Sequence, residues 1–171
     1  MSLILDGSVG VYDVDGSAAT PAIRGTDTNT GIYFPGADRI GFSEGGTQVG
    51  EFDASGNFLF NSGYGSAAIA YGCRAWVNFN GTGTVAIRAS GNVTSITDNG
   101  TGDYTVNFTT ALSDANYAVV GSSGGQSATS AGSVYLYDQA TARTTTLFRV
   151  LTITTTGGSV DTPQVNIAIF R

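Results

Sequence analysis

The sequence predicts an all-β protein built in two parts, and three observations carry that prediction. Apolar residues alternate with polar ones along much of the chain, clusters of Gly, Asn, Asp and Ser separate the alternating runs, and no credible core helix is present. The runs are short in the first third and long thereafter. The expected organisation is a stalk of short β-strands over residues 1–61, a junction over 62–73 and an antiparallel β-sandwich of jelly-roll type over 74–171.

The stalk reads as LIL, VGVYDV, AI, GIYF, RIGF, QVGEF and NFLF, separated by DG, DG, NTG, PG, EGG and DASG. Those separators supply the positive φ angles and side-chain-to-backbone bonds of tight turns. Asp13-Val14-Asp15-Gly16 and Asp53-Ala54-Ser55-Gly56 have the form of turn caps. Ile32 with Phe34, and Ile40 with Phe42, alternate as half-buried strands do. Hairpins this short are marginal alone in water and need a neighbour over their apolar face. The expected solution is an intertwined homotrimer in which several copies share one interior. Ile32, Phe34, Ile40, Phe42, Phe52, Phe58 and Phe60 are its expected interface. The uncharged junction NSGYGSAAIAYGC ends in Cys73, expected to pack as a small buried hydrophobe at the stalk-to-tip joint and to belong to the trimer interface.

Eight longer strands follow: AWVNFN, TVAIRAS, NVTSITD, DYTVNFTT, NYAVVGSS, SVYLYD, TLFRVLTITT and QVNIAIF. Tyr104, Val106 and Phe108 alternate with Thr105, Asn107 and Thr109, apolar side inward, and Val165, Ile167 and Ile169 do likewise. Tyr135 and Tyr137 lie opposite the aliphatics Val134 and Leu136, where they suit a trimer interface or a ligand, and are assigned to the interface. An exposed indole at Trp76 would suit stacking on a sugar, but its place beside Val77 in the first of these strands and next to the junction favours packing in the core or between chains. If the strands alternate direction, the loops at 80–83, 98–102, 122–132 and 156–163 share the end remote from the stalk. Those near Gly91, Ser113 and Arg143 face back towards it. The remote loops carry no Lys or Arg, and their neutral donors and acceptors suit hydroxyl-rich glycans or polar protein loops. Their candidate binding residues are Asn80, Thr82, Asp98, Asn99, Ser122, Ser123, Gln126, Ser127, Thr129, Ser130 and Asp161, with the stretch 122–132 foremost.

Charge and composition exclude other classes. Only 12% of the 171 residues are charged, all seven cations are Arg, and eight Asp or Glu against two Arg precede Cys73. No basic face is available to neutralise phosphates, so nucleic acid is not an expected partner. The opening MSLILDGS has neither a basic region nor a long apolar run, so no secretory leader and no membrane insertion is expected. One Cys permits no internal disulfide. With no His, and with Ser and Thr lacking a visible general base, nucleophilic catalysis has no parts to work with. Asp98, Asp103, Asp114, Asp138 and Asp161 each stand in a turn context rather than as an acid pair. Asp13-Val14-Asp15-Gly16-Ser17 opens like a calcium loop but lacks the bidentate Glu such a loop needs. The chain is expected to be no enzyme and to hold neither cofactor nor metal.

Two stretches carry a resemblance. The run PAIRGTDTNTGIYFPGADRIGFSEGGTQVGEFDASGNFLF, Pro21 to Phe60, resembles the repeat of tail fibre proteins of tailed bacteriophages, in which TDTGIY-like, GADxIGF-like, GGT and S-G-N segments follow in this order. The run CRAWVNFNGTGTVAIRASGNVTSITDNGTGDYTVNFTTALSDANYAVV, Cys73 to Val120, resembles the distal tip domain of such fibres. Gly50 departs from the pattern, which has a large aliphatic there. The resemblance implies a homotrimeric virion fibre, made in the bacterial host cytoplasm and joined to other virion tail proteins. Its C-terminal tip would meet a bacterial cell-surface receptor, a glycan or an outer-membrane component. The alternatives are a structural connector or decoration protein of the virion, or a glycan depolymerase.

Overall fold

A computed structural model of the chain describes residues 14–63, 65–124, 135–138, 143–154 and 157–171. Every regular element among the described residues is a β-strand, and every pairing is antiparallel. The chain divides into two compact units, Met1–Ala70 and Tyr71–Arg171, with the boundary inside the expected junction.

The first unit is one six-stranded meander: β1 (Ile23–Arg24), β2 (Gly31–Tyr33), β3 (Ile40–Glu44), β4 (Thr47–Phe52), β5 (Phe58–Phe60) and β6 (Ala68–Ile69). Each strand pairs with its sequence neighbour, so the short hairpins find their ladder partners within the same chain. Turn chemistry fixes the register. Gly45 and Gly46, both at positive φ, close β3 onto β4. The Asp53 carboxylate accepts from the Ser55 and Asn57 amides at 2.9 and 2.8 Å, and Gly56 takes the positive φ that closes β4 onto β5. The junction contributes more than a linker, because β6 pairs Leu59 with Ile69 and Phe60 with Ala68.

The two faces of this sheet differ. One row of directly opposed residues runs Ile23, Ile32, Phe42, Gly50, Phe60 and Ala68 across all six strands, and a second runs Ile40, Phe52 and Phe58. Phe52 sits between Phe42 and Phe58, with ring centroids 6.2 and 5.3 Å away. These side chains are not covered: Phe60 is 52% exposed and Phe52 45%. Gly50 lies among the rings, and a Cβ there would come within 3.5 Å of Phe58 and 3.7 Å of Phe42. The rings occupy space that a large aliphatic would take. Here the ladder also bulges, since Phe42 opposes Gly50 but Ser43 opposes Gln48, leaving Val49 between them.

The opposite face carries an internally bonded polar network, with Leu59 and Ile69 beyond it on β5 and β6. Tyr33 lies across Gly41, where a Cβ would stand 2.6 Å from its ring, and its hydroxyl donates to Gln48 at 2.6 Å. Gln48 in turn donates to Glu51 at 2.6 Å, and Arg39 donates to the other carboxylate oxygen at 2.5 Å. Glu51 is thus only 1% exposed yet fully paired.

The second unit is a two-sheet sandwich. Its strands are β7 (Cys73–Asn80), β8 (Ala86–Gly91), β9 (Val93–Gly100), β10 (Asp103–Phe108), β11 (Ala118–Gly124), β12 (Tyr135–Asp138), β13 (Leu147–Ile153) and β14 (Gln164–Phe170). One sheet has the order β11-β14-β7-β8 and the other β12-β13-β10-β9. Ala75, Val77 and Phe79 with Val165, Ile167 and Ile169 from the first face Tyr104, Val106 and Phe108 with Phe148 and Val150 from the second. This alternation is the one the sequence predicts.

The strand order corrects the jelly-roll expectation. A jelly roll wraps consecutive strands from sheet to sheet, whereas β7–β8, β9–β10 and β12–β13 each stay within one sheet. The physical reason is local for β9–β10: a two-residue turn with Gly102 at positive φ leaves no span to cross the sandwich. The crossing from β8 to β9 is made at Asn92, a non-glycine residue at positive φ. Its side chain accepts from the Thr110 amide at 2.8 Å and donates to the Arg74 and Thr110 carbonyls at 3.1 Å. Cys73 corrects burial within its own chain: it is exposed at the start of β7, because the inward-facing positions of that strand are 75, 77 and 79, and its contact between chains stays a proposal. For Tyr135 and Tyr137 only the strand itself is described.

Acid sensitivity follows from the carboxylates. Hydrogen bonds from Arg39 to Glu51, from Asn57 to Asp53, from Arg149 to Asp103 and from Arg171 to Asp114 hold each carboxyl below its ordinary pKa. A depressed folded-state pKa stabilises the fold above the unfolded value and loses that contribution as pH falls through the folded one. The melting temperature is therefore expected to stay level from pH 7 to 5 and to fall below about pH 4. A melting temperature that rises on acidification contradicts this pairing.

Candidate functional site

Strand alternation collects the described parts of three expected loops at one end of the sandwich. The Gly81 amide donates to the Thr162 carbonyl at 2.9 Å, tying the β7–β8 turn to the segment before β14. The β9–β10 turn joins them, because the Gly102 amide donates to the Asp161 carboxylate at 2.6 Å. Tyr104 rises from the core beneath these turns, and its buried hydroxyl lies 2.8 Å from the Gly81 carbonyl and 2.9 Å from the same Asp161 oxygen. Burial first, and then the Asp161 carboxylate, push the phenol far above its ordinary pKa, so it remains a donor. Thr152 completes the clasp: its amide donates to the Gly102 carbonyl at 2.8 Å and its hydroxyl to the Val160 carbonyl at 2.5 Å.

These bonds redefine several candidate residues. Asp161 holds turns together rather than standing free for a ligand. Asn80 forms its own turn, donating to the Thr82 carbonyl at 2.7 Å and accepting from the Thr82 hydroxyl at 2.9 Å. Asp98 accepts from the Gly100 amide at 3.0 Å, while Asn99 donates to the Thr105 hydroxyl at 2.9 Å. Asp98 and Asn99 are exposed, and Asn80, Thr82 and Asp161 are half-buried.

Ser122 and Ser123 are not loop residues. They lie on β11, opposite Asn166 and Val165 of β14, because that strand runs on to Gly124. Gln126, Ser127, Thr129 and Ser130 lie outside the described residues.

Trp76 and Ser122, read separately in the sequence, belong to one outer face. Trp76 is on the outer face of its sheet and 44% exposed, which corrects the expectation of core packing and leaves contact between chains as a proposal. Beside it a row of hydrogen bonds runs from Asn78 to Asn166 at 2.6 Å and from Asn166 to Ser122 at 3.3 Å. The inward parity of Ala75, Val77 and Phe79 was the available signal for both. Compared with known proteins, the chain matches no family model, no curated protein and no solved structure.

Proposed function

We propose that this chain is the stalk and tip of a homotrimeric phage tail fibre that attaches the virion to a bacterial cell-surface receptor. The single observation that carries the reading is the two-faced meander: an Ile and Phe face left open on a sheet whose other face holds a satisfied polar network. A surface of that kind is stable when covered. Three copies packing these faces round an axis cover one another, with each ladder closed in its own chain. Ile32, Phe34, Ile40, Phe42, Phe52, Phe58 and Phe60 then meet at the axis.

The tip supports adhesion rather than chemistry. Its clasped turns present uncharged polar side chains and the exposed Asp98 carboxylate at one end, and three tips per fibre multiply weak single contacts. Light scattering after gel filtration tests the assembly: three times the 17.4 kDa chain mass is expected. A stable species at one chain mass opposes the trimer. Adsorption of the labelled protein to candidate host cells tests the adhesion. Asp98→Ala combined with Asn99→Ala is expected to weaken adsorption in a protein that melting curves show to be folded, and failure of the parent protein to adsorb to any cell tested opposes the receptor-binding reading.

A further inference from the structure

The outer face of the β11-β14-β7-β8 sheet carries an open groove of about 430 Å³, within the roughly 300–1,000 Å³ typical of ligand sites. Its cross-section follows from the register. Trp76, Ala168 and Val120 stand side by side on three neighbouring strands, so two large side chains flank one small one. The next outward row is Asn78, Asn166 and Ser122. No charged side chain lines the groove.

Gly91 sets the attitude of the indole. It is the cross-strand partner of Trp76, and a Cβ there would stand 2.4 Å from the indole Nε1 and 2.9 Å from Cδ1. The ring therefore lies over the missing side chain and leaves indole surface open to solvent. The amide row is directional: Asn78 donates to Asn166, which donates to the Ser122 hydroxyl. No hydrogen bond from another described residue reaches the side-chain oxygen Oδ1 of Asn78, and the Ser122 hydroxyl proton has no described acceptor. A ligand in this groove meets an apolar plate beside an uncharged donor and acceptor.

We infer that the groove is a binding site for an uncharged pyranose. A pyranose has one face of C–H bonds, which fits the indole, and a rim of hydroxyls that both donate and accept, which fits Asn78 and Ser122. An anionic ligand would find no cation, and a purely apolar one would leave the amide row dry and unpaired. This site is separate from the clasped turns, so it stands or falls independently of the adhesion reading.

Trp76 is the only Trp in the chain, so intrinsic fluorescence reports on the groove directly. Glucose, galactose, mannose, N-acetylglucosamine and N-acetylgalactosamine are titrated singly to about 50 mM, well above the ~1 mM affinity expected of a one-sided site. At least one is expected to give a saturable change in emission, and glucuronic acid none. Gly91→Ala keeps the indole but tilts it, and Asn166→Ala breaks the amide row. Each is expected to weaken binding about tenfold, as loss of one stacking or hydrogen-bond contribution implies. Calorimetry with Trp76→Phe gives a further reading in a variant that keeps an aromatic ring. Melting curves confirm that the variants are folded. Three results overturn the inference: no saturable response to any uncharged sugar, a response unchanged by Gly91→Ala and Asn166→Ala, or an emission shift that tracks protein concentration alone. The last assigns the groove to a second copy of the chain. Cell adsorption that persists without any sugar response overturns the groove and leaves the adhesion reading in place.

Discussion

Tyr104→Ala is expected to destabilise the sandwich by ~3–5 kcal/mol, the usual cost of emptying an aromatic site in a core. Tyr104 is fully buried, packs edge-on against Phe79 at 5.1 Å and sits between the two sheets. Tyr104→Phe separates the ring from its hydroxyl. The phenylalanine preserves the packing but removes the hydroxyl that bridges the Gly81 carbonyl and the Asp161 carboxylate. The expected cost is ~1–3 kcal/mol. Denaturant titration reads both variants as a lowered midpoint at unchanged slope. Hydrogen exchange localises the second effect, since the Gly81 and Gly102 amides should lose protection before those of Val77 and Val150. A Tyr104→Phe protein as stable and as protected as its parent means that the hydroxyl does not hold the turns.

This clasp shows how far the sequence was readable. The alternation of Tyr104, Val106 and Phe108 gave the inward face of β10, because parity is a local property and each strand expresses it alone. The turns at Gly102 and Gly56 were equally local, since positive φ selects Gly. Asp161 was different. Its partners, Gly102 and Tyr104, lie more than fifty residues away, and nothing near position 161 distinguishes a bridging carboxylate from a solvated one.

The same limit explains the other differences. Strand directions were legible, yet the order of strands within each sheet depends on which connections cross the sandwich, and only the shortest turns disclose that. Ala68 and Ile69 have too little pattern to announce a strand, and they become β6 because Leu59 and Phe60 offer an edge. Ser122 was read as loop because Ser and Gly crowd that stretch. It is strand because β14 extends far enough to pair with it. Trp76 was judged by its place beside Val77 and the junction, where the alternation of Ala75, Val77 and Phe79 was the better guide.

The paired substitution Phe52→Asp with Phe60→Asp is expected to abolish assembly and leave a folded 17.4 kDa chain. A fully buried Phe contributes ~1.5–3 kcal/mol by leaving water. Both side chains are about half exposed in the single chain, so covering them would stabilise an interface by roughly 1 kcal/mol each, repeated in every copy. An Asp at either position reverses that sign, because the interface would have to enclose an unpaired carboxylate or exclude it. Three copies bring three such charges towards one axis, where their repulsion adds to the desolvation cost. Within one chain the damage is limited, since neither side chain supports the Tyr33–Gln48–Glu51–Arg39 network on the opposite face. Thr47→Asp provides the control, as it adds a charge at an exposed end of β4 away from the Phe52 row and should leave the mass unchanged. If the doubly substituted protein keeps the mass of its parent, the Ile and Phe face is not where the copies meet.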